Sequence, residues 1–353
     1  MVNKKIESIL YHQLEKKPEE LNIDWFGTML ISGLLDWYEL GYTQVKEFSE
    51  RWLRHHLKKQ KTYTDEEFHI VNGGCRSRVY HDYLIPISTY AGYFGLGFAC
   101  HKIYTFTGCQ EAAQVVKDVG DCILQRCGRN NLGMVIHDDR ADSFTIPDVS
   151  YFVSPPLFLA AKLDKRQSFA LYRQAELQLE KFVDVFVDRK KKLTKTVYRN
   201  GHTGETYWIR ATGWLFWNLV ESMENMAADT EQFIKIKDTL LGLMEGIKGY
   251  QHETGGFHLL IDDDSMPLET TGTAMIAYAV HKAVRMGWCD KSELKLAQRA
   301  WDFVLGRIDE NGNITGCYSG WALPAEAKEL DFDRPMNWIP GLILITGAEF
   351  EKR

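Results

Sequence analysis

The sequence predicts an all-α protein folded as a six-hairpin (α/α)6 barrel, and three observations carry that prediction. Six apolar helical stretches, most of them rich in small residues, recur at intervals of roughly 60 residues. Amphipathic, charge-bearing helices alternate with them, and the connecting segments are long and rich in Gly and Asp, with few strand signals. A chain of this kind buries the apolar helices by closing them into a ring with the amphipathic ones outside. An open solenoid of helical pairs is the competing architecture, but its repeats are usually shorter and its ends need polar caps.

The first apolar stretch, residues 28–40, places Met29, Leu34, Leu35 and Trp37 on a helix that stops at Gly41. The second, residues 93–107, ends at another glycine, Gly108, and the third, residues 152–163, reads FVSPPLFLAAKL. The fourth spans residues 206–226. From Trp214 on, Leu215, Leu219, Met223 and Met226 recur at three- and four-residue spacing, so one stripe faces a core while Glu221 and Glu224 face elsewhere. Residues 271–287 and 341–350 complete the set. Outer helices are expected over Gln44–Lys59, Gln110–Arg126, Ser168–Phe186, Thr230–Tyr250 and Lys291–Arg307. In the second of these Ala112, Val115, Val119 and Ile123 line one face; in the last, Leu294, Ala297, Trp301 and Leu305 do the same. The long segments between helices are expected to gather at one end as a cleft, since loops longer than about 12–15 residues usually carry function.

A chain of 353 residues is long enough for two average domains, but the barrel reading makes residues 1–353 one domain. A hydrophobic fraction of 45% and a charged fraction of 25% are those of a globular protein with a sizeable core. The net charge of -6 leaves no basic footprint, which argues against nucleic acid or an anionic membrane surface as partner. The first residues, MVNKKIESILYHQLEKK, lack a signal-peptide pattern, and no window is apolar enough to span a bilayer, so a cytoplasmic location is expected. Seven cysteines (75, 100, 109, 122, 127, 289, 317), with no C-x-x-C pair, suit reduced, scattered thiols better than a disulfide framework or a zinc site. Ten Trp and 16 Tyr suit carbohydrate stacking and a large helical core equally.

Three loop-to-helix junctions hold residues able to do chemistry. Asp148 precedes the third apolar stretch; an Asp there commonly caps a helix, but Tyr151, Phe152 and Pro155 are placed to surround it with apolar groups, which raise a carboxyl pKa and make a general acid at neutral pH. Trp208, Arg210, Gly213 and Trp214 sit at the mouth of the fourth helix, where free N–H groups and the dipole favour an anion. At Glu269-Thr270-Thr271-Gly272-Thr273-Ala274 the hydroxyls are placed to cap the fifth helix or to bind a polar ligand.

The segments DVSYFVSPPLFLA, YWIRATGWLFWNLVESME, GGFHLLIDDDSMPLETTGTAMIAYAVHKAVRMG and PGLILITGAEF resemble successive blocks of the unsaturated glucuronyl and rhamnogalacturonyl hydrolases, glycoside hydrolase families 88 and 105. The likeness covers roughly residues 20–350 in block order and is most specific from Glu269 to Gly287. It implies a six-hairpin barrel that removes a Δ4,5-unsaturated uronic acid from the non-reducing end of an oligosaccharide made by a polysaccharide lyase. An Asp at the Asp148 position would protonate the vinyl ether and help direct water to the adjacent ring carbon; no metal or other cofactor is implied. Trp208, Arg210, Trp214, Thr271 and Tyr93 are the expected substrate-binding residues, for an acidic oligosaccharide partner.

Two departures stand out. Ala211-Thr212 replaces the family's usual Gly-Asn, and Ser88-Thr89-Tyr90-Ala91-Gly92-Tyr93 carries no carboxylate where many members have a second Asp. Asp82 and a tyrosine are the candidate replacements. Cleavage of a saturated uronide or other glycoside usually needs two carboxylates, with Asp148 and one of Asp82, Asp139, Asp142 or Glu269 as the pair. Epimerisation would use histidines, with His81, His137, His202 and His258 available. A non-catalytic sugar-binding barrel is the alternative of another class.

Overall fold

The computed structural model describes residues 2–59, 79–139, 143–320, 330–334 and 336–352. Twelve α-helices occur among the described residues, with only two-residue antiparallel ladders between some of them. In chain order they are α1 (Lys4–Leu14), α2 (Trp25–Asp36), α3 (Gln44–Lys59), α4 (Leu96–Thr107), α5 (Gln110–Gln125), α6 (Pro147–Leu163), α7 (Ser168–Phe186), α8 (Ile209–Met223), α9 (Glu231–Lys248), α10 (Thr270–Arg285), α11 (Leu294–Gly306) and α12 (Trp338–Glu351). No described helix is long and apolar enough to cross a membrane.

Burial separates the helices into two alternating sets. The even-numbered helices are buried nearly all round, whereas α3, α5, α7, α9 and α11 each bury one stripe. Each even-numbered helix packs on the next, and α12 packs on α2, so the apolar set forms a closed helical barrel. Small residues permit that closure. A Cβ on Gly33 of α2 would lie 2.4 Å from the Gly341 carbonyl oxygen of α12, and one on Gly341 would lie 2.5 Å from the Met29 carbonyl, so these two backbones touch.

The sequence reading missed α1. Its Ile6, Ile9, Leu10 and Gln13 form a short buried stripe, and the helix lies against α12, supplying an outer helix between the last inner helix and the first. The third inner helix also starts earlier than its apolar run: Pro147 occupies its first turn, and the helix continues through Pro155 and Pro156, which leave the Tyr151 and Phe152 carbonyls without their usual intrahelical donors.

Inner helices are reached from outer ones by longer connections than those that lead from inner helices to outer ones. Residues 126–146, 187–208, 249–269 and 307–337 lead into α6, α8, α10 and α12, while only Gly108 and Cys109 separate α4 from α5. The long connections thus gather where the inner helices begin. There, Trp25 of α2 meets Phe152 of α6, Trp214 of α8 and Trp338 of α12, with ring centroids 6.2, 6.2 and 5.1 Å away.

Candidate active site

Asp148 occupies the second position of α6, after Pro147, and the residue flanking the helix start is Ile146, whose side chain caps nothing. The capping role open to an Asp at this junction is therefore not the one Asp148 plays. Its approach is fixed by a bridge in which Thr145 and Tyr198 exchange two backbone hydrogen bonds of 2.9 Å. Burial raises the carboxyl to about 6, while the charge of Arg210, its own backbone amide and His137 pull it back down. The residue as a whole is half-buried. A carboxyl at this pKa, at a helix N-terminus between an arginine and a histidine, is suited to donate a proton near neutral pH.

Arg210, in the first turn of α8, is buried, and its fork donates to the carbonyls of Tyr318 and Gly320, each at 2.7 Å. The guanidinium carbon lies 4.2 Å from the centre of the Trp208 ring and 5.6 Å from that of Trp338. The indole N–H groups of Trp208 and Trp338 are buried and have no hydrogen-bond partner among the described residues. Both are donors at the start of an inner helix.

Glu269 is the hub behind this arginine. Its Oε1 accepts from the Thr271 amide at 3.1 Å, the Thr271 hydroxyl at 2.7 Å and the Tyr318 amide at 3.2 Å; its Oε2 accepts from the Gly272 amide at 2.6 Å. The carboxylate, not a hydroxyl, therefore caps α10, and the expectation of a hydroxyl cap is corrected. Thr270 and Thr273 instead donate to the carbonyls of Thr315 and Glu269.

The residues expected to bind substrate fall into two layers. Trp208 and Arg210 meet near Asp148, whereas Trp214, Thr271 and Tyr93 are fully buried. Trp214 packs on Tyr151 and Phe152, 5.2 and 5.3 Å away, and Tyr93 lies edge-on to Tyr90 at 6.0 Å. Asp82 does not join them: it is an exposed residue, 2.9 Å from Arg126 at the end of α5. Asp142 and Cys75 lie outside the described residues, and the other six cysteines are unpaired. His81 and His202 are exposed, and His258 is tied to the Met266 carbonyl.

Four contributors escaped the sequence reading. Tyr318, Trp338 and Asp138 come from segments with no motif of their own. Asp24 is fully buried, caps α2 through the Phe26 amide at 3.0 Å, and is held up to about 8 by burial, which makes it a neutral acid near pH 7. Its Asp-before-helix position is the one sequence signal it offered.

The glycosyl hydrolase family 88 sequence profile matches residues 1–353. The chain belongs to that family. An unsaturated rhamnogalacturonyl hydrolase of Bacillus subtilis is 22% identical over 340 residues, 93% of this chain and 90% of that protein. Among solved structures, the unsaturated glucuronyl hydrolase of Bacillus sp. GL1 has a TM-score of 0.72 at 14% identity, covering 99% of this chain and 95% of that one. A possible family 105 member from Salmonella enterica reaches 0.81 at 14%, covering 98% and 92%. These likenesses show that the helical barrel is shared across families 88 and 105.

Proposed function

We propose that this family 88 protein is a six-hairpin (α/α)6 barrel, one domain over residues 1–353, that removes a Δ4,5-unsaturated uronic acid from the non-reducing end of lyase-generated acidic oligosaccharides. The observation that carries the reading is the carboxyl of half-buried Asp148, raised to about 6 at the start of α6. A saturated glycoside would need a second carboxylate; of the four the sequence offers, Glu269 is held by four donors and Asp82 by a surface arginine, which removes two of them. Vinyl-ether hydration needs one acid. Asp148 gives its proton to C4, water adds at C5, and the resulting hemiketal opens to a keto sugar and frees the glycan. The Trp208 face, the Arg210 charge and the two partnerless indole N–H groups support binding of an acidic ring.

The test is the ultraviolet absorbance of the conjugated alkene in lyase-generated oligosaccharides. The unmutated protein is expected to bleach it, and Asp148→Asn to do so about 10³-fold more slowly, within the range for loss of a general acid. Because the protonated form acts, kcat falls as pH climbs through about 6. The raised carboxyl also means that the folded state loses stability relative to the unfolded chain as pH rises from the ordinary Asp value toward 6. Asp148→Asn is therefore expected to be the more stable protein at pH 7. No bleaching by the unmutated protein on chemically varied unsaturated substrates would falsify the reading.

A further inference from the structure

Hydration also requires that the incoming water lose a proton, and the cleft holds a group placed to take it. His137 is pinned at both ends of its backbone: its amide donates to the Phe144 carbonyl at 2.9 Å, and its carbonyl accepts from the Ala91 amide at 3.0 Å. Its ring stacks on Phe144, centroids 4.8 Å apart, and stands edge-on to Tyr90 at 5.0 Å. Nδ1 is 3.0 Å from Oδ2 of Asp138, a fully buried residue. A carboxylate only accepts, so Nδ1 donates to it, and in the neutral imidazole Nε2 is then the nitrogen with the lone pair. Nε2 has no partner among the described residues, and the imidazole keeps 17% of its side chain exposed.

The backbone bond to Ala91 ties this histidine to the segment Ser88–Tyr93, which has no carboxylate of its own. Phe144, whose carbonyl accepts from the His137 amide, lies four residues before Asp148, and His137 is near enough to Asp148 to interact with it electrostatically. Among the described residues, the charged groups near the ring are Asp138, Asp148 and, against the Phe144 ring it stacks on, the Arg199 guanidinium at 4.8 Å.

We propose that His137, oriented by Asp138, is the base that accepts the proton of the hydrating water, a division of labour that rests on the reading of Asp148 as the acid. Asp148 delivers its proton to C4 as the C4–C5 π bond breaks, and the positive charge at C5 is shared with the ring oxygen. The water oxygen bonds to C5 while its proton passes to Nε2, and the imidazolium is held by the Asp138 carboxylate. Alkene and water become the hemiketal; solvent then returns a proton to Asp148 and removes one from His137. Asp138 is a positioning residue in this scheme.

The experiment measures alkene bleaching across pH for the unmutated protein, Asp148→Asn, His137→Gln, His137→Ala with and without added imidazole, and Asp138→Asn, with a melting curve for each. His137→Gln is expected to lose about 10²-fold in kcat with KM within a few-fold. Imidazole is expected to restore part of the His137→Ala rate. Asp138→Asn, which keeps the ring, is expected to fall between and carries the test if a His137 variant does not fold. An active unmutated protein whose His137→Gln variant keeps its kcat overturns this proposal and leaves the assignment of Asp148 standing. So does a rise in KM alone. An inactive unmutated protein overturns both.

Discussion

The two ends of the barrel treat their polar groups in opposite ways. Where the inner helices end, charges are matched: Lys282 of α10 is 2.7 Å from both Glu221 and Glu224, Arg285 is 2.6 Å from Glu349, and Lys102 of α4 is 2.7 Å from Asp36 of α2. Where they begin, a carboxyl sits raised to about 6, another to about 8, and two indole N–H groups lack partners. Tryptophans elsewhere do not share that state. The indoles of Trp37, Trp217 and Trp52 donate to the Leu344, Met275 and Asn22 carbonyls at 2.9, 3.0 and 3.2 Å. Partnerless buried donors each cost stability. Both partnerless indoles lie at the end where the inner helices begin, which supports reading that end as the one kept for a ligand and the other as built for closure.

The largest test of that division is Lys282→Met. Removing a cation from a buried network leaves two carboxylates facing each other, a change that costs about 3–5 kcal/mol when a buried pair is broken. Urea unfolding is expected to show that loss, while kcat on an unsaturated oligosaccharide stays within about two-fold, since the network lies at the far end of the inner helices. A large drop in kcat at unchanged stability would break the division between the ends.

Glu269→Gln probes the boundary between the two regimes, because Glu269 is a fully satisfied carboxylate at the unsatisfied end. The amide cannot accept at every position the carboxylate fills, and about 2–3 kcal/mol of stability is expected to go. Unlike Lys282→Met, it is also expected to raise KM, since Glu269 holds the Tyr318 amide and the Tyr318 carbonyl holds Arg210. Stability loss at constant KM would show that Arg210 keeps its place without this support.

How far the sequence revealed this arrangement differs between fold and site. The alternation of buried and one-sided helices was legible because burial leaves a periodicity of 3.6, and it held over eleven of the twelve helices. α1 was missed because its stripe is short and set among lysines. The start of α6 was misplaced because an apolar run marks what the ring buries, not where helical hydrogen bonds begin. At the site, Asp148, Trp208 and Arg210 stood out because each combines a chemical group with a loop-to-helix junction. Arg210's partners, Tyr318 and Gly320, lie more than 100 residues away in sequence, and no local pattern encodes that contact. His137 was visible only as one of four histidines; what singles it out is the Asp138 carboxylate and the backbone bonds to Phe144 and Ala91, both products of folding.

The smallest expected effect belongs to Trp208→Phe, and it addresses the partnerless donors directly. Phenylalanine keeps an aromatic face for the guanidinium that lies 4.2 Å above it, so the packing of Arg210 is largely retained. What disappears is a buried N–H with nothing to donate to. If that donor is held for the substrate, its removal leaves stability unchanged or raises it by up to about 1 kcal/mol, and raises KM about five- to ten-fold with kcat nearly constant. Trp217→Phe supplies the contrast, because that indole already donates to Met275 and its loss is expected to cost about 1 kcal/mol of stability. Equal stability losses in the two variants, with KM unmoved in both, would mean that the indole at the mouth is satisfied like the one in the core, and the asymmetry between the two ends would then rest on the carboxyls alone.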